Sequence, residues 1–126
     1  MQDSPERVDI SRQKLMKALL VPERLWLLER CQRADERLTV ETLSDELAAA
    51  VHATPPTQEQ RYRQYVSLVH VHLPDLDGLG LVVYDDETET VTASAQLAEF
   101  DEAIRLGREL VAELGSVTPV ATAPST

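Results

Sequence analysis

The residues best placed to bind a ligand lie on one side of a helix predicted over residues 58–73. Apolar residues recur there at spacings of three and four, which predicts a packed back face formed by Tyr62, Tyr65, Val66, Val69, Leu73 and Leu76. The opposite face is polar. Glutamine amides can pair with adenine, and arginine can bind guanine or phosphate. This pattern predicts contacts with double-stranded DNA from Gln60, Arg61, Arg63, Gln64 and Ser67, and the alternative is an ordinary solvated helix face.

Metal binding and covalent catalysis have little support in the residue pattern. His70 and His72 are two residues apart, so a helix points them to different sides. We expect His72 to pack at the edge of the core, with its ring on a carbonyl at the helix end. Cys31 has no base placed beside it and is expected to be a small buried hydrophobe. The acids within residues 75–89 lack the spacing of a calcium loop. We therefore predict no metal, no cofactor and no enzymatic activity.

Length and composition favour a single soluble domain. A chain of 126 residues suits one domain with an additional helix. It contains no run of eighteen apolar residues, and its acidic, polar start does not resemble a secretion signal. The single cysteine suits a reducing compartment. We expect no membrane association and a cytoplasmic location.

The net charge of −10 bears on possible partners. Binding to DNA through bulk electrostatics is disfavoured, because phosphate neutralisation supplies much of DNA affinity. However, the basic residues are ten arginines and only two lysines, Lys14 and Lys17, and acids dominate the composition. This bias is typical of proteins that work in molar salt. There the Debye length is about 3 Å, so repulsion from DNA nearly vanishes.

The chain divides into helices and short strands. Helices are predicted over residues 12–20 and 23–34, with a break at Val21 and with Pro22 in the first turn of the second helix. Residues 15–34 are interpreted as the first helix of the domain after a lead-in turn. Another covers residues 40–53 and buries Val51. Thr39 and Thr57 are expected N-caps, and Pro74 is expected to end the helix 58–73. Extended segments are predicted at residues 38–40, 81–84 and 89–93, with a turn at 85–88.

A polar-faced helix followed by a β-hairpin predicts a winged helix-turn-helix. The expected fold class is therefore α+β, mainly α, with this domain over residues 11–94. A C-terminal helix is expected over residues 95–114, with disordered ends at 1–10 and 115–126. The C-terminal helix has an apolar seam at three-four spacing, which suits packing against a partner helix and predicts a homodimer. The predicted dimerisation residues are Leu97, Phe100, Ile104, Val111 and Leu114.

Specific sequence runs carry a family resemblance. They are PER and LL at residues 22–24 and 27–28, LTVETLSDELA at 38–48, VSLVHVHLPDL at 66–76 and GLVVYD at 80–85. With these runs, the chain resembles a haloarchaeal family of winged-helix domains of unknown function, often described as helix-turn-helix regulators. The resemblance covers about residues 14–93. It implies a winged helix, a cytoplasmic haloarchaeal setting and a role in transcription, and it supplies no DNA-contact residues.

Two functions follow as hypotheses. The first is a DNA-binding transcriptional regulator, whose dimer places two helices in successive major grooves. The second is a protein-interaction module that keeps the winged fold without binding DNA. The acidic hairpin tip at residues 85–87 favours the second, as would exposure of Leu68 and Val71.

Overall fold

A computed structural model describes residues 12–52 and 55–122, with side chains described for residues 13–52 and 55–114. The fold is α+β and mainly helical, with a small three-stranded antiparallel sheet of order β1-β3-β2. The elements are α1 (Arg12–Leu19), α2 (Pro22–Arg33), β1 (Leu38–Thr39), α3 (Val40–Val51), α4 (Gln58–Ser67), a π turn (Leu68–His72), α5 (Leu73–Gly78), β2 (Val82–Asp85), β3 (Thr90–Ala93), a 3-10 turn (Leu97–Phe100) and α6 (Asp101–Thr122).

A break at Val21 separates α1 from α2, which confirms the two helices predicted over residues 12–20 and 23–34. The interpretation of residues 15–34 as one first helix is wrong. Val21 is extended, with φ −99° and ψ 115°, because the following proline disfavours the α region at this residue. Pro22 lies in the first turn of α2, as predicted, where its missing N–H is not needed.

Helix α3 begins where its sequence predicts. The Thr39 side chain accepts a hydrogen bond from the Thr42 backbone N–H at 3.1 Å, which confirms the N-cap. The helix buries Val40, Leu43, Leu47 and Ala48. The prediction that Val51 is buried is wrong, since it is 45% exposed in the last turn of the helix.

Pro74 does not end the long helix as predicted. The helix widens into the π turn, where the Leu73 N–H donates to the Leu68 carbonyl five residues back. Pro74 then occupies the first turn of α5, which tolerates a residue without an N–H. The path carries Leu68 into the core with no exposed surface, whereas Val71 is 46% exposed. Of the two residues whose exposure would favour an interaction module, Leu68 is therefore buried and Val71 is exposed.

The sheet closes one side of the core. Val82 and Tyr84 of β2 pair with Ala93 and Val91 of β3, which forms the predicted hairpin. The short strand β1 pairs on the other edge of β3. The largest fully buried side chains include Leu27, Leu28, Leu43, Leu47, Leu68, Leu73, Leu76, Leu81, Val91, Leu97 and Ile104.

The C-terminal segment differs from its predicted outline. A 3-10 turn precedes α6, which begins at Asp101 instead of near residue 96. The backbone of α6 continues to Thr122, through part of the segment 115–126 that was predicted as a disordered tail. The disorder predicted for residues 1–10 and 123–126 lies outside the described residues. Among the described helices, none is long and apolar enough to cross a membrane.

Candidate functional site

Helix α4 lies at the edge of the domain and contributes no buried residue. Its start is held by a capping box with Thr57. The Gln60 backbone N–H donates to Thr57 Oγ1 at 3.1 Å, and Gln60 Oε1 accepts from the Thr57 N–H at 2.9 Å. The predicted cap at Thr57 is therefore confirmed. Polar bonds at the start of the helix, the partial burial of Tyr65 against the core and the full burial of Leu68 beyond its end position α4.

Three of the five residues predicted to contact DNA have bonded partners, and those of Gln60 and Arg61 hold the start of α4. Gln60 supplies the reciprocal bond of the capping box. Arg61 Nη1 donates to the Pro56 carbonyl at 2.9 Å, and Arg61 Nε lies 3.6 Å from Asp45 Oδ1 of α3. These contacts fix the angle between α3 and α4. Both residues are therefore better suited to positioning the helix than to reading bases.

Arg63 is the most outward of the predicted contact residues. Its side chain is 72% exposed, and its Nη2 lies 2.9 Å from Glu59 Oε2, one turn earlier. Such an exposed pair contributes only about 0.3–0.5 kcal/mol. Gln64 and Ser67 are partly exposed on the next turn. The structure thus leaves Arg63, Gln64 and Ser67 open to a ligand.

The packed back face that periodicity predicts is confirmed in part, because Tyr65 and Val69 pack against the core and Leu73 and Leu76 are buried. Tyr62 does not belong to it. Tyr62 is 64% exposed, and its ring stacks on that of Tyr65 with 6.2 Å between centroids. The Tyr65 hydroxyl donates to the Glu89 carboxylate at the end of the hairpin turn, and this bond raises the pKa of Tyr65. Tyr65 therefore ties α4 to the sheet, while Tyr62 presents an aromatic surface to solvent.

A shallow cleft of about 320 Å³ lies between α3, α4 and the hairpin. Its lining includes Asp45, Gln58, Arg61, Tyr62 and Glu89. Across the part of the chain that the structure describes, no three His, Cys, Asp or Glu side chains form a group able to hold a metal ion. The chemistry that this surface offers is hydrogen bonding, aromatic stacking and charge.

The tip of the β2–β3 hairpin is acidic. Asp85 Oδ1 accepts backbone N–H bonds from Glu87 at 3.0 Å and Thr88 at 3.3 Å. The bonds from Thr88 and Glu87 lower the pKa of Asp85 and keep it charged. Asp86 and Glu87 are exposed beside it. Three carboxylates at this tip would repel a phosphate backbone.

His72 links two helices in place of the carbonyl contact expected for it. Arg24 Nε of α2 donates to His72 Nδ1 at 3.1 Å, and Arg24 Nη2 lies 2.7 Å from Asp75 Oδ2 of α5. Burial, followed by the nearby Arg24 charge, lowers the pKa of His72, so its ring is held neutral. This cluster joins α2 to the π turn and to α5, and the residue spacing did not predict it.

Cys31 is the buried hydrophobe that the sequence predicts. It is 2% exposed in the core cluster, and burial raises the pKa of its thiol to about 11. A thiol in this environment stays protonated near neutral pH and is a poor nucleophile.

The apolar seam predicted for dimerisation packs mainly inside its own domain. Leu97 and Ile104 are each 1% exposed, and Phe100 and Val111 are partly buried against the core. Of the five predicted residues, Leu114 is exposed, at 52%. A three-four seam fits a helix of the same chain as well as a partner, and here it packs towards α1 and α2. The seam prediction is therefore wrong for Leu97 and Ile104.

The family model of the domain of unknown function DUF7344 matches residues 16–92, from within α1 to within β3. The chain belongs to this family. No curated protein and no solved structure matches the chain. The family match contains α4, the π turn, α5 and the hairpin, and it ends before α6. The candidate surface therefore lies within the part shared with the family, whereas α6 lies outside it.

Proposed function

We propose that this domain is a winged helix-turn-helix. The support is the order of its elements: two N-terminal helices, a short strand, two helices packed together and a β-hairpin. The short strand β1 joins the hairpin through β3, so one small sheet lies beside the α3–α4 pair. This arrangement would make α3 and α4 the helix-turn-helix and β2–β3 the wing.

The function we infer is a DNA-binding transcriptional regulator that places α4 in the major groove. The observation that carries the proposal is the exposure of α4, a ten-residue helix without a buried residue, fixed by a capping box and by bonds to α3 and the hairpin. The major groove admits an α-helix that is presented in this way. Interior packing gives no reason for the exposed polar surface of α4.

Within α4 we assign different roles to the predicted residues. Gln60 and Arg61 position the helix, because their side chains are bonded within the domain. Arg63 would contact guanine or phosphate by leaving its exposed pair with Glu59, and Gln64 and Ser67 would contact neighbouring groups. The acidic wing would stay away from the backbone, so base contacts would come from the helix.

We further propose a haloarchaeal origin and a cytoplasmic location. The net charge of −10 and the preference for arginine over lysine support an environment of molar salt. There the repulsion between the acidic wing and DNA is screened over about 3 Å. Binding would then depend on short-range hydrogen bonds, and it should survive in high KCl.

The proposal is tested with Arg63→Ala and the matched control Arg105→Ala. Both arginines are exposed and paired with a glutamate four residues away, and both variants remove one positive charge. Genomic fragments selected by the wild type in molar KCl serve as probes for fluorescence anisotropy. We expect Arg63→Ala to weaken binding about tenfold, as for loss of one specific arginine contact, and Arg105→Ala to have little effect.

Equal binding by wild type and Arg63→Ala would reject Arg63 as a contact. Absence of selected fragments in both moderate and high salt would favour the second candidate, a protein-interaction module. Its specific support is Tyr62, whose ring is 64% exposed next to an acidic cleft. In that case Tyr62→Ala would abolish recovery of a protein partner, whereas Arg63→Ala would not.

A further inference from the structure

Helices α1 and α6, the first and last described helices, pack side by side and expose a continuous apolar surface. We call it the α1–α6 strip. Its members are large apolar side chains that are each 38–52% exposed, namely Met16, Leu20, Leu106, Leu110 and Leu114. A groove of about 240 Å³ runs between the two helices and includes Gly107. A contiguous apolar surface of this kind often marks an interaction site.

The groove exists because α6 approaches α1 closely at Gly107. A Cβ atom at this position would lie 3.2 Å from the Leu19 carbonyl oxygen and 3.3 Å from Leu25 Cδ2. The inward face of α6 is therefore filled by its own domain. Among the described residues, no side chain covers the strip on the neighbouring face of α6.

The two edges of the strip carry opposite charge. Helix α1 contains Lys14 and Lys17, the only lysines of the protein, and no acidic residue. On α6, helical geometry places Glu109 and Glu113 about 60° and 20° round from Leu106 of the strip. Arg105 pairs with Glu109 and Glu102 on this side, so the edge keeps a net negative charge. Glu102 lies on the same side of α6. A complementary partner would need an acidic edge over α1 and a basic edge over α6.

We propose that the α1–α6 strip binds the same strip of a second copy, with α1 of each chain over α6 of the other. A two-fold axis parallel to the two helices produces this pairing, and each basic edge then faces an acidic edge. The chain itself carries the required complement, which favours a second copy over an unrelated partner. The proposed dimer contact is formed by the exposed residues of the strip, and not by the buried Leu97 and Ile104 that the sequence predicted. It does not depend on DNA binding.

The apolar part is tested by sedimentation in molar KCl, without DNA, using Leu110→Glu. The matched control is Val71→Glu, because Leu110 and Val71 are both 46% exposed but lie on different faces. We expect a concentration-dependent dimer for the wild type, since small interfaces bind weakly. Leu110→Glu should raise its Kd at least about a hundredfold, whereas Val71→Glu should not change it. A wild type that stays monomeric to millimolar concentration, or a Leu110→Glu variant that dimerises normally, overturns the proposal.

The pairing of edges is tested at about 0.1 M salt, where the Debye length is about 10 Å. Lys17→Glu and Glu113→Lys should each weaken self-association by placing like charges opposite each other. Mixed together, the two variants should associate more tightly than either does alone, because each interface then contains opposite charges. Equal association of the mixture and the separate variants would exclude α1 lying over α6 of the second copy. Circular dichroism serves as the control that each variant is folded.

Discussion

Leu68→Ala examines the consequence of the π turn for stability. Leu68 has no exposed surface and lies where the π turn meets α3. Removing a fully buried leucine side chain costs the transfer free energy of its lost atoms and that of the cavity left behind, together about 3 kcal/mol within a range of 2–5. Val71, three residues on, is 46% exposed. Val71→Ala should change stability by less than about 0.5 kcal/mol, because little burial is lost and alanine favours a helix.

Urea unfolding followed by circular dichroism, in a buffer of constant high KCl, measures both variants. Leu68→Ala should lower the urea midpoint without changing the slope of the unfolding free energy against urea concentration. In a separate thermal melt, it should lower Tm by roughly 10 °C. Val71→Ala should match the wild type. A loss below about 1 kcal/mol for Leu68→Ala, or equal losses for the pair, would refute the assigned burial. The helix would then present Leu68 outward, as periodicity alone suggests.

Three further outcomes follow from other contacts. The pKa of His72 is lowered in the folded state, so unfolding takes up a proton and folded stability should fall as pH drops below about 6.5. Thermal melts between pH 7.5 and 5.5 should show a smaller loss for His72→Gln than for the wild type, whereas His70→Gln, which alters an exposed ring, should behave like the wild type. A thiol reagent at pH 8 should label Cys31 only after denaturant is added, and rapid labelling of the folded protein would contradict its burial and its pKa of about 11. Thr57→Ala should cost about 1 kcal/mol and speed hydrogen exchange at the start of α4, while Thr57→Ser should preserve both. Unchanged exchange in Thr57→Ala would show that the capping box does not hold this end of the helix.

Local chemistry accounts for the features that were predicted correctly. Thr39 and Thr57 cap their helices because a side-chain oxygen reaches a backbone N–H three residues away. Pro22 begins a helix for an equally local reason, its missing N–H. The hairpin follows from a run of β-branched residues on both sides of a polar turn. None of these features requires a distant part of the chain.

The wrong predictions concern segments whose local sequence fits two different structures. Pro74 was expected to end the helix. Instead, the π turn before Pro74 lets the helical backbone continue into α5. The apolar seam predicted for the C-terminal helix could pack against a partner or against its own domain. In the structure, Leu97 of the 3-10 turn and Ile104 of α6 are buried in the core of their own chain. Periodicity shows that such residues are buried together, but it does not show against what they are buried.

The candidate site combines both kinds of information. The sequence alone determined that a capped helix with arginine and amide side chains begins at residue 58, because these properties depend on neighbours within one turn. Tertiary structure decided which of those side chains are open. Arg61 is held by Asp45 and Pro56, and Tyr65 by Glu89, whereas Arg63 and Tyr62 face solvent.

The cluster of Arg24, His72 and Asp75 was likewise decided by tertiary structure. Arg24 and His72 are separated by 48 positions in the chain, and Arg24 and Asp75 by 51, so no local pattern joins them. They meet because α2 and α5 bury their apolar faces in one core, and the polar groups at its edge must then find partners. Secondary structure followed from short-range propensity and capping. The selection of exposed groups, and hence of the surface able to bind a partner, followed from long-range packing.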